Sequence, residues 1–132
     1  MNHTELQNEI IQKYRIDLCD GTKCENDWMR THAHIRERRV CKWERKSSVK
    51  STFTLLHEVG HIETTTAKMR RCEEEFFATQ WAIDRMKEYG MADKIPETIK
   101  RLYQNYIFSE LERGKRRGGN GYPTREQLTL KW

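Results

Sequence analysis

The 132-residue chain predicts an α+β domain, mainly helical, with a small antiparallel sheet. Three observations point there. Leu6, Ile10 and Tyr14 recur at helical spacing near the start, and residues 51–90 hold two stretches with helical apolar faces. Residues 28–49 instead alternate weakly between apolar and polar, as short strands do. The length suits one domain spanning 1–132. Only 36% of residues are hydrophobic against 34% charged, a lean composition for a core, so a bound metal would help hold the domain together.

Each element has its own signal. Thr4-Glu5-Leu6-Gln7 reads as a capping box opening an N-terminal helix over 1–17. Cys19-Asp20-Gly21-Thr22 reads as a turn, and His32-Ala33-His34-Ile35 and Val40-Cys41-Lys42-Trp43 are the best strands of the sheet in 28–49. Ser51 and Thr52 cap the first of two helices that fill 51–90; the second runs from Arg70 to Tyr89 and stops at Gly90. Pro96 sits in the first turn of a C-terminal helix, 96–113, with Ile99, Leu102, Tyr103 and Tyr106 facing inward and Gly114 closing it. Residues 114–132 read as a flexible basic tail. No internal repeat is visible.

The first helix of the pair carries His57-Glu58-Val59-Gly60-His61. Four positions apart on a helix, the two imidazoles project from one face, the spacing at which two nitrogens grip one Zn²⁺. Glu58 is rotated off that pair, where a carboxylate can reach a water without ligating the metal. Zinc lowers the pKa of a water it holds, and the carboxylate takes the proton as that water attacks a carbonyl. Leu55, Val59 and Ile62 share a face while Phe53 and Leu56 lie nearer the histidines, so the helix is apolar on most sides, unlike a surface helix with solvated histidines.

A third ligand should come from the second helix. Glu73, Glu74 and Glu75 diverge by about 100° each, so at most one or two can face the metal. Glu75 shares its face with Ala78, Thr79 and Ala82, whose small side chains let another helix approach; it ranks first, ahead of Glu74 and then Glu73. The bland reading of the run is a solvated acidic helix start, favoured by the helix dipole.

Thr52-Phe53-Thr54-Leu55-Leu56-His57-Glu58-Val59-Gly60-His61 together with Glu75-Phe76-Phe77-Ala78-Thr79-Gln80-Trp81-Ala82 resembles the ImmA/IrrE family of zinc metallopeptidases. The resemblance covers about residues 50–90. It implies a zincin-like domain built on an HExxH active-site helix, a gluzincin-like set of His57, His61 and Glu75 on Zn²⁺, and Glu58 as catalytic base. Thr79 stands where the family has Asn or Asp supporting a histidine ligand, and Phe77 replaces a second glutamate. The chain is closest in style to the short forms associated with bacteriophages and mobile elements. The substrate implied is a regulatory protein such as a repressor, a transcriptional regulator cut at a peptide bond.

Other function classes recede. No apolar run approaches the ~18 residues needed to cross a bilayer, and Met1-Asn2-His3-Thr4-Glu5 begins no signal peptide. A cytoplasmic setting is therefore expected, with Cys19, Cys24, Cys41 and Cys72 as reduced thiols rather than disulfides. A second metal site from Cys19, Cys24, His32 and His34 is the less favoured reading, since its cysteine spacing is wider than the usual knuckle. The net charge of +5 and the run Arg113 to Tyr122 allow contact with nucleic acid, but the run lacks the aromatic interleaving of a stacking platform, and a solvated loop is preferred. His32, His34, Tyr103 and Tyr106 are candidates for stabilising an oxyanion, because such a site wants a neutral donor opposite the base. The alternative to an enzyme is a zinc-containing, non-catalytic binding protein that engages a host protein or nucleic acid through its basic surface. A purely structural site, however, has no need of Glu58.

Overall fold

The computed structural model describes residues 1–20 and 30–132. The described residues form an α+β arrangement in the order α1 (His3–Lys13), β1 (Asp17–Cys19), β2 (His32–His34), β3 (Arg39–Cys41), α2 (Val49–Thr64), α3 (Arg71–Glu88), a 3₁₀ turn (Ala92–Lys94) and α4 (Glu97–Arg116). Leu6 and Ile10 of α1 are buried against Phe53, Leu55, Leu56, Val59 and Ile62 of α2, with Ile83 and Met86 of α3 and Ile107 and Leu111 of α4 completing the core. The burial of α2 on nearly every side matches its all-round apolar sequence.

Gly60 sets how close α2 and α3 come. A Cβ on that residue would lie 2.4 Å from the carbonyl oxygen of Ala78, so the helix backbones touch where both chains are smallest. That approach brings side chains of α3 within ligand distance of side chains on α2, as the Ala78–Ala82 face suggested.

The sheet differs from the sequence expectation. Its order is β1-β3-β2, with β2 antiparallel to β3 but β1 parallel to it, so the sheet is mixed rather than antiparallel. The added strand is Asp17–Cys19, read from sequence as a helix end and a turn. A three-residue strand shows no period of two for sequence analysis to detect. Leu18, Val40 and Ala33 form the middle cross-strand row and pack toward the core; the flanking rows Cys19–Cys41–His32 and Asp17–Arg39–His34 project from the opposite face. Gly21, Thr22, Cys24 and Trp28, to which sequence readings were attached, lie outside the described residues.

Helix ends shift as well. Asn2, not Thr4, caps α1, its side-chain oxygen accepting from the Glu5 amide at 2.8 Å; the helix ends at Lys13 because Asp17 turns to donate its amide to Arg38. Ser48 caps α2, which frees Ser51 to donate its hydroxyl to the Glu44 carbonyl at 2.8 Å. Pro96 is the residue before α4 rather than in its first turn, and Gly114 lies inside that helix, which continues to Arg116.

Beyond α4 the chain is not a free tail. Leu128 and Leu130 are buried, and the Trp132 ring lies 5.8 Å from that of Phe53. Gln104 donates to the Leu128 carbonyl and accepts from the Leu130 amide. Arg70 donates to the carbonyls of Asn120 and Gly121 at 2.6 Å each, with its guanidinium 4.3 Å from the centre of the Tyr122 ring. Hydrogen bonds from one side chain to two successive carbonyls, and a ring stacked beneath it, hold the segment down where composition alone suggested solvent.

Candidate metal centre

Helix α2 projects His57 and His61 from one face with ring centroids 4.7 Å apart. From α3, Glu75 reaches both: its Oε2 lies 3.1 Å from His57 Nε2 and 3.2 Å from His61 Nε2. All three residues are screened from solvent, with side-chain exposures of 10, 13 and 3%. The other carboxylate oxygen, Oε1, pairs at 3.1 Å with Arg71, one turn earlier on the same helix. Arg71 was not singled out in the sequence, although its i,i+4 spacing to Glu75 is the signal that would have found it. Its guanidinium also reaches the Tyr106 hydroxyl at 3.5 Å.

The three consecutive glutamates separate as their 100° steps require. Glu73 turns back to accept the Arg70 amide at 3.1 Å and so closes the start of α3. Glu74 lines the cavity in front of the histidines and stands 3.7 Å from Arg71. Only Glu75 meets the histidine nitrogens. Thr79, where a supporting Asn or Asp was expected, spends its hydroxyl on the Glu75 carbonyl at 2.7 Å instead. The Glu58 carboxylate stands 3.6 Å from the Nδ1 of His57.

Electrostatics describe a cluster built around positive charge. Burial alone would lower the pKa of His57, but the Glu58 and Glu75 carboxylates outweigh it and raise the group to about 9. Burial alone would raise Glu75; the two histidines instead hold it well below the usual carboxylate range. Two imidazole nitrogens and a carboxylate oxygen thus converge on one point in a buried setting that favours a cation. Their fit to zinc can be tested by distance: zinc bonds of ~2.0–2.1 Å at a tetrahedral angle place neighbouring ligand atoms roughly 3.3 Å apart. The observed 3.1 and 3.2 Å separations lie close to that spacing, and all three donor atoms fall within 4.8 Å of one another. His57, His61 and Glu75 are therefore a group able to hold a metal ion.

The cluster opens on a cavity of about 570 Å³, which leaves one side of the centre free of protein. Glu58 lines that cavity, and so do Tyr103, Tyr106, His32 and His34, the four residues considered as oxyanion donors. Tyr103 stands beside the centre, with its ring 5.0 Å from that of His57. Burial, reinforced by the Glu58 and Glu75 charges against a hydrogen bond with Thr54, pushes its phenol up to about 12, so it keeps its proton and can donate. Ile35 and Leu102 add apolar, solvent-exposed side chains to the cavity; Leu102, expected from its helical spacing to face inward, instead stands at the open rim, where no element among the described residues covers that part of α4.

Comparison with protein-family models, with curated proteins and with solved structures finds no match to this chain. No helix among the described residues is long and apolar enough to cross a membrane.

Proposed function

We propose that this chain is a zinc-dependent metallo-endopeptidase, a divergent zincin-like relative of the ImmA/IrrE family that hydrolyses a peptide bond in a regulatory protein such as a repressor. One observation carries the reading: two histidines one turn apart and a glutamate from the neighbouring helix converge on a single point, with a further carboxylate, Glu58, open to the same cavity. His57, His61 and Glu75 would hold the zinc, and a zinc ion in that position supplies Lewis acidity to a carbonyl and acidifies water.

The chain's own residues divide the remaining work. Glu58, adjacent in sequence to a ligand but turned off the ligand face, takes the proton from the attacking water and passes it to the departing amine. Tyr103 remains a neutral donor beside His57 and supplies a hydrogen bond to the oxygen on which charge develops. Arg71 fixes the second oxygen of Glu75, so that the carboxylate presents the first to the histidines. The cavity of about 570 Å³ receives the substrate segment, and the exposed Ile35 and Leu102 favour apolar side chains beside the cleaved bond.

The basic-surface alternative loses ground on one point. Tyr122, the aromatic ring in the basic stretch, is covered by Arg70 and donates its hydroxyl to the Gly114 carbonyl at 3.0 Å, so it is not presented for base stacking. The test is Glu58→Gln, assayed on regulatory proteins encoded beside this chain's gene. The variant should bind zinc as the wild type does and lose cleavage, since an amide cannot accept the proton. Undiminished cleavage by the variant would refute the mechanism. No cleavage by either protein, with an identical biological effect, would turn the assignment to a binding protein.

A further inference from the structure

A second convergence of metal-ligating groups stands on the sheet, apart from the His57–His61–Glu75 cluster. The register places Cys19, Cys41 and His32 in one cross-strand row, and His34 follows His32 by two residues, so all four side chains leave the same face. One donor atom from each of His32, His34 and Cys41 falls within a mutual distance of 4.8 Å. The Cys41 thiol lies 3.1 Å from the Cys19 sulfur, and the two imidazole rings are 5.0 Å apart. His32 is also oriented as a ligand would be. Its Nδ1 is 2.9 Å from the Arg30 carbonyl, which can only accept, so Nδ1 donates there, the arrangement in which Nε2 would be the ring nitrogen to bind a metal.

We propose that Cys19, His32, His34 and Cys41 form a second zinc site, structural in kind, that staples the three strands together. The donor chemistry selects the ion: two sulfurs and two imidazoles suit Zn²⁺ and disfavour Mg²⁺ or Ca²⁺, which take oxygen. Four protein ligands close the coordination shell, which marks the site as structural and distinguishes it from the open His₂Glu centre. Tetrahedral zinc with Zn–S of ~2.3 Å and Zn–N of ~2.0–2.1 Å sets ligand atoms roughly 3.3–3.8 Å apart. Contraction of the His32–His34–Cys41 group from within 4.8 Å to that spacing, with Cys19 brought in beside Cys41, would complete the shell. On binding, each thiol gives up its proton to solvent and becomes the thiolate ligand.

The fold supplies the reason for such a site. Three strands of three residues each form a ladder too short to be stable on its own. The four ligands come from all three strands, so one ion joins β1 to β3 and β3 to β2. The sequence had grouped Cys24 with Cys19 and the two histidines; the structure brings Cys41 to them from across the sheet. Since β2 also lines the cavity of the first centre, the staple fixes one wall of that cavity.

Cobalt separates the two centres, because only cysteine ligation produces thiolate-to-metal charge-transfer absorption in the near ultraviolet. Full-length protein purified under reducing conditions should contain two zinc ions per chain. The double variant His57→Ala/His61→Ala should retain one, and its cobalt form should keep the thiolate band. Adding Cys41→Ser should remove both the band and the ion. Cobalt-loaded wild type provides the same reading if a variant does not fold, and Cys19→Ser in that background should weaken the band. A wild-type cobalt spectrum without a thiolate band overturns the proposal. So does a single zinc per chain that disappears with His57 and His61, or a Cys19–Cys41 disulfide in place of metal. None of these outcomes depends on whether the first centre hydrolyses peptides.

Discussion

Glu73 and Glu75 stand two positions apart on one helix and do unrelated work. Glu73 closes the helix start on the Arg70 amide, while Glu75 is enclosed between two imidazoles and a guanidinium. From sequence, the ~100° divergence of successive helical positions limited how many of the glutamates could face one point, and the face that Glu75 shares with Ala78, Thr79 and Ala82 ranked it first. What sequence did not reveal at this scale was the support: Arg71 on the far oxygen, and Thr79 turned to its own backbone. These are side-chain choices among local partners, and they are decided only once the helices are packed. The expected consequence is a sharp asymmetry. Glu75→Ala should lower zinc affinity by more than the ~10–100-fold typical of losing an outer-shell partner, since it removes one of the three proposed ligands. Glu73→Ala should leave affinity nearly unchanged and cost only a cap, about 1 kcal/mol of stability. Competition titration with a chelating indicator measures both. Equal losses from the two variants, or a loss confined to Glu73, would show that a different carboxylate serves the metal.

Among the elements, the long helices were legible, and so were two of the three described strands, His32–His34 and Arg39–Cys41, which fall on the stretches read as strands. The helices α2 and α3 bury residues along their whole length, and α4 packs Ile107 and Leu111 into the core, so their presence is written in periodicity even where their ends slip by a few residues. The strand that was not legible is Asp17–Cys19, which carries too few alternations to read and is defined by its parallel pairing with Arg39–Cys41. The contact that matters most for the first centre is the crossing of α2 on α3 at Gly60. Replacing a mid-helix glycine by alanine ordinarily stabilises a helix by about 1 kcal/mol. Here the sign should reverse, because the new methyl would lie 2.4 Å from the Ala78 carbonyl oxygen, a backbone atom that cannot move alone. Gly60→Ala is expected to destabilise the protein by ~1–3 kcal/mol. It should also weaken zinc binding, since α3 carries Glu75 away from the histidines as the helices part. Urea denaturation and metal titration report the two effects; a variant more stable than wild type would mean that the helices do not meet at this residue.

For the molecule as a whole, the C-terminal segment decides how much core there is. Composition alone gives a lean interior, and residues 114–132 read as a basic tail outside it. The structure instead returns the chain across the domain: Leu128 and Leu130 enter the core, Trp132 covers Phe53, and Gln80 and Gln104 bond the backbone between them. The basic residues that dominate this stretch in sequence hid its three apolar anchors, which lie spaced by two along the final residues rather than in a helical stripe. Phe53 also packs on Tyr103, whose ring lies against His57, so the segment supports the wall behind the first centre. Each buried leucine cut to alanine should cost ~2–5 kcal/mol, a large share of the ~5–15 kcal/mol available to a domain. The variant Leu128→Ala/Leu130→Ala is therefore expected to unfold at much lower urea concentration than wild type, with its denaturant slope unchanged. A detached tail predicts the opposite, an unaltered midpoint even after deletion of residues 124–132. Measuring both variants beside wild type distinguishes a chain end that completes the core from one that only adds charge.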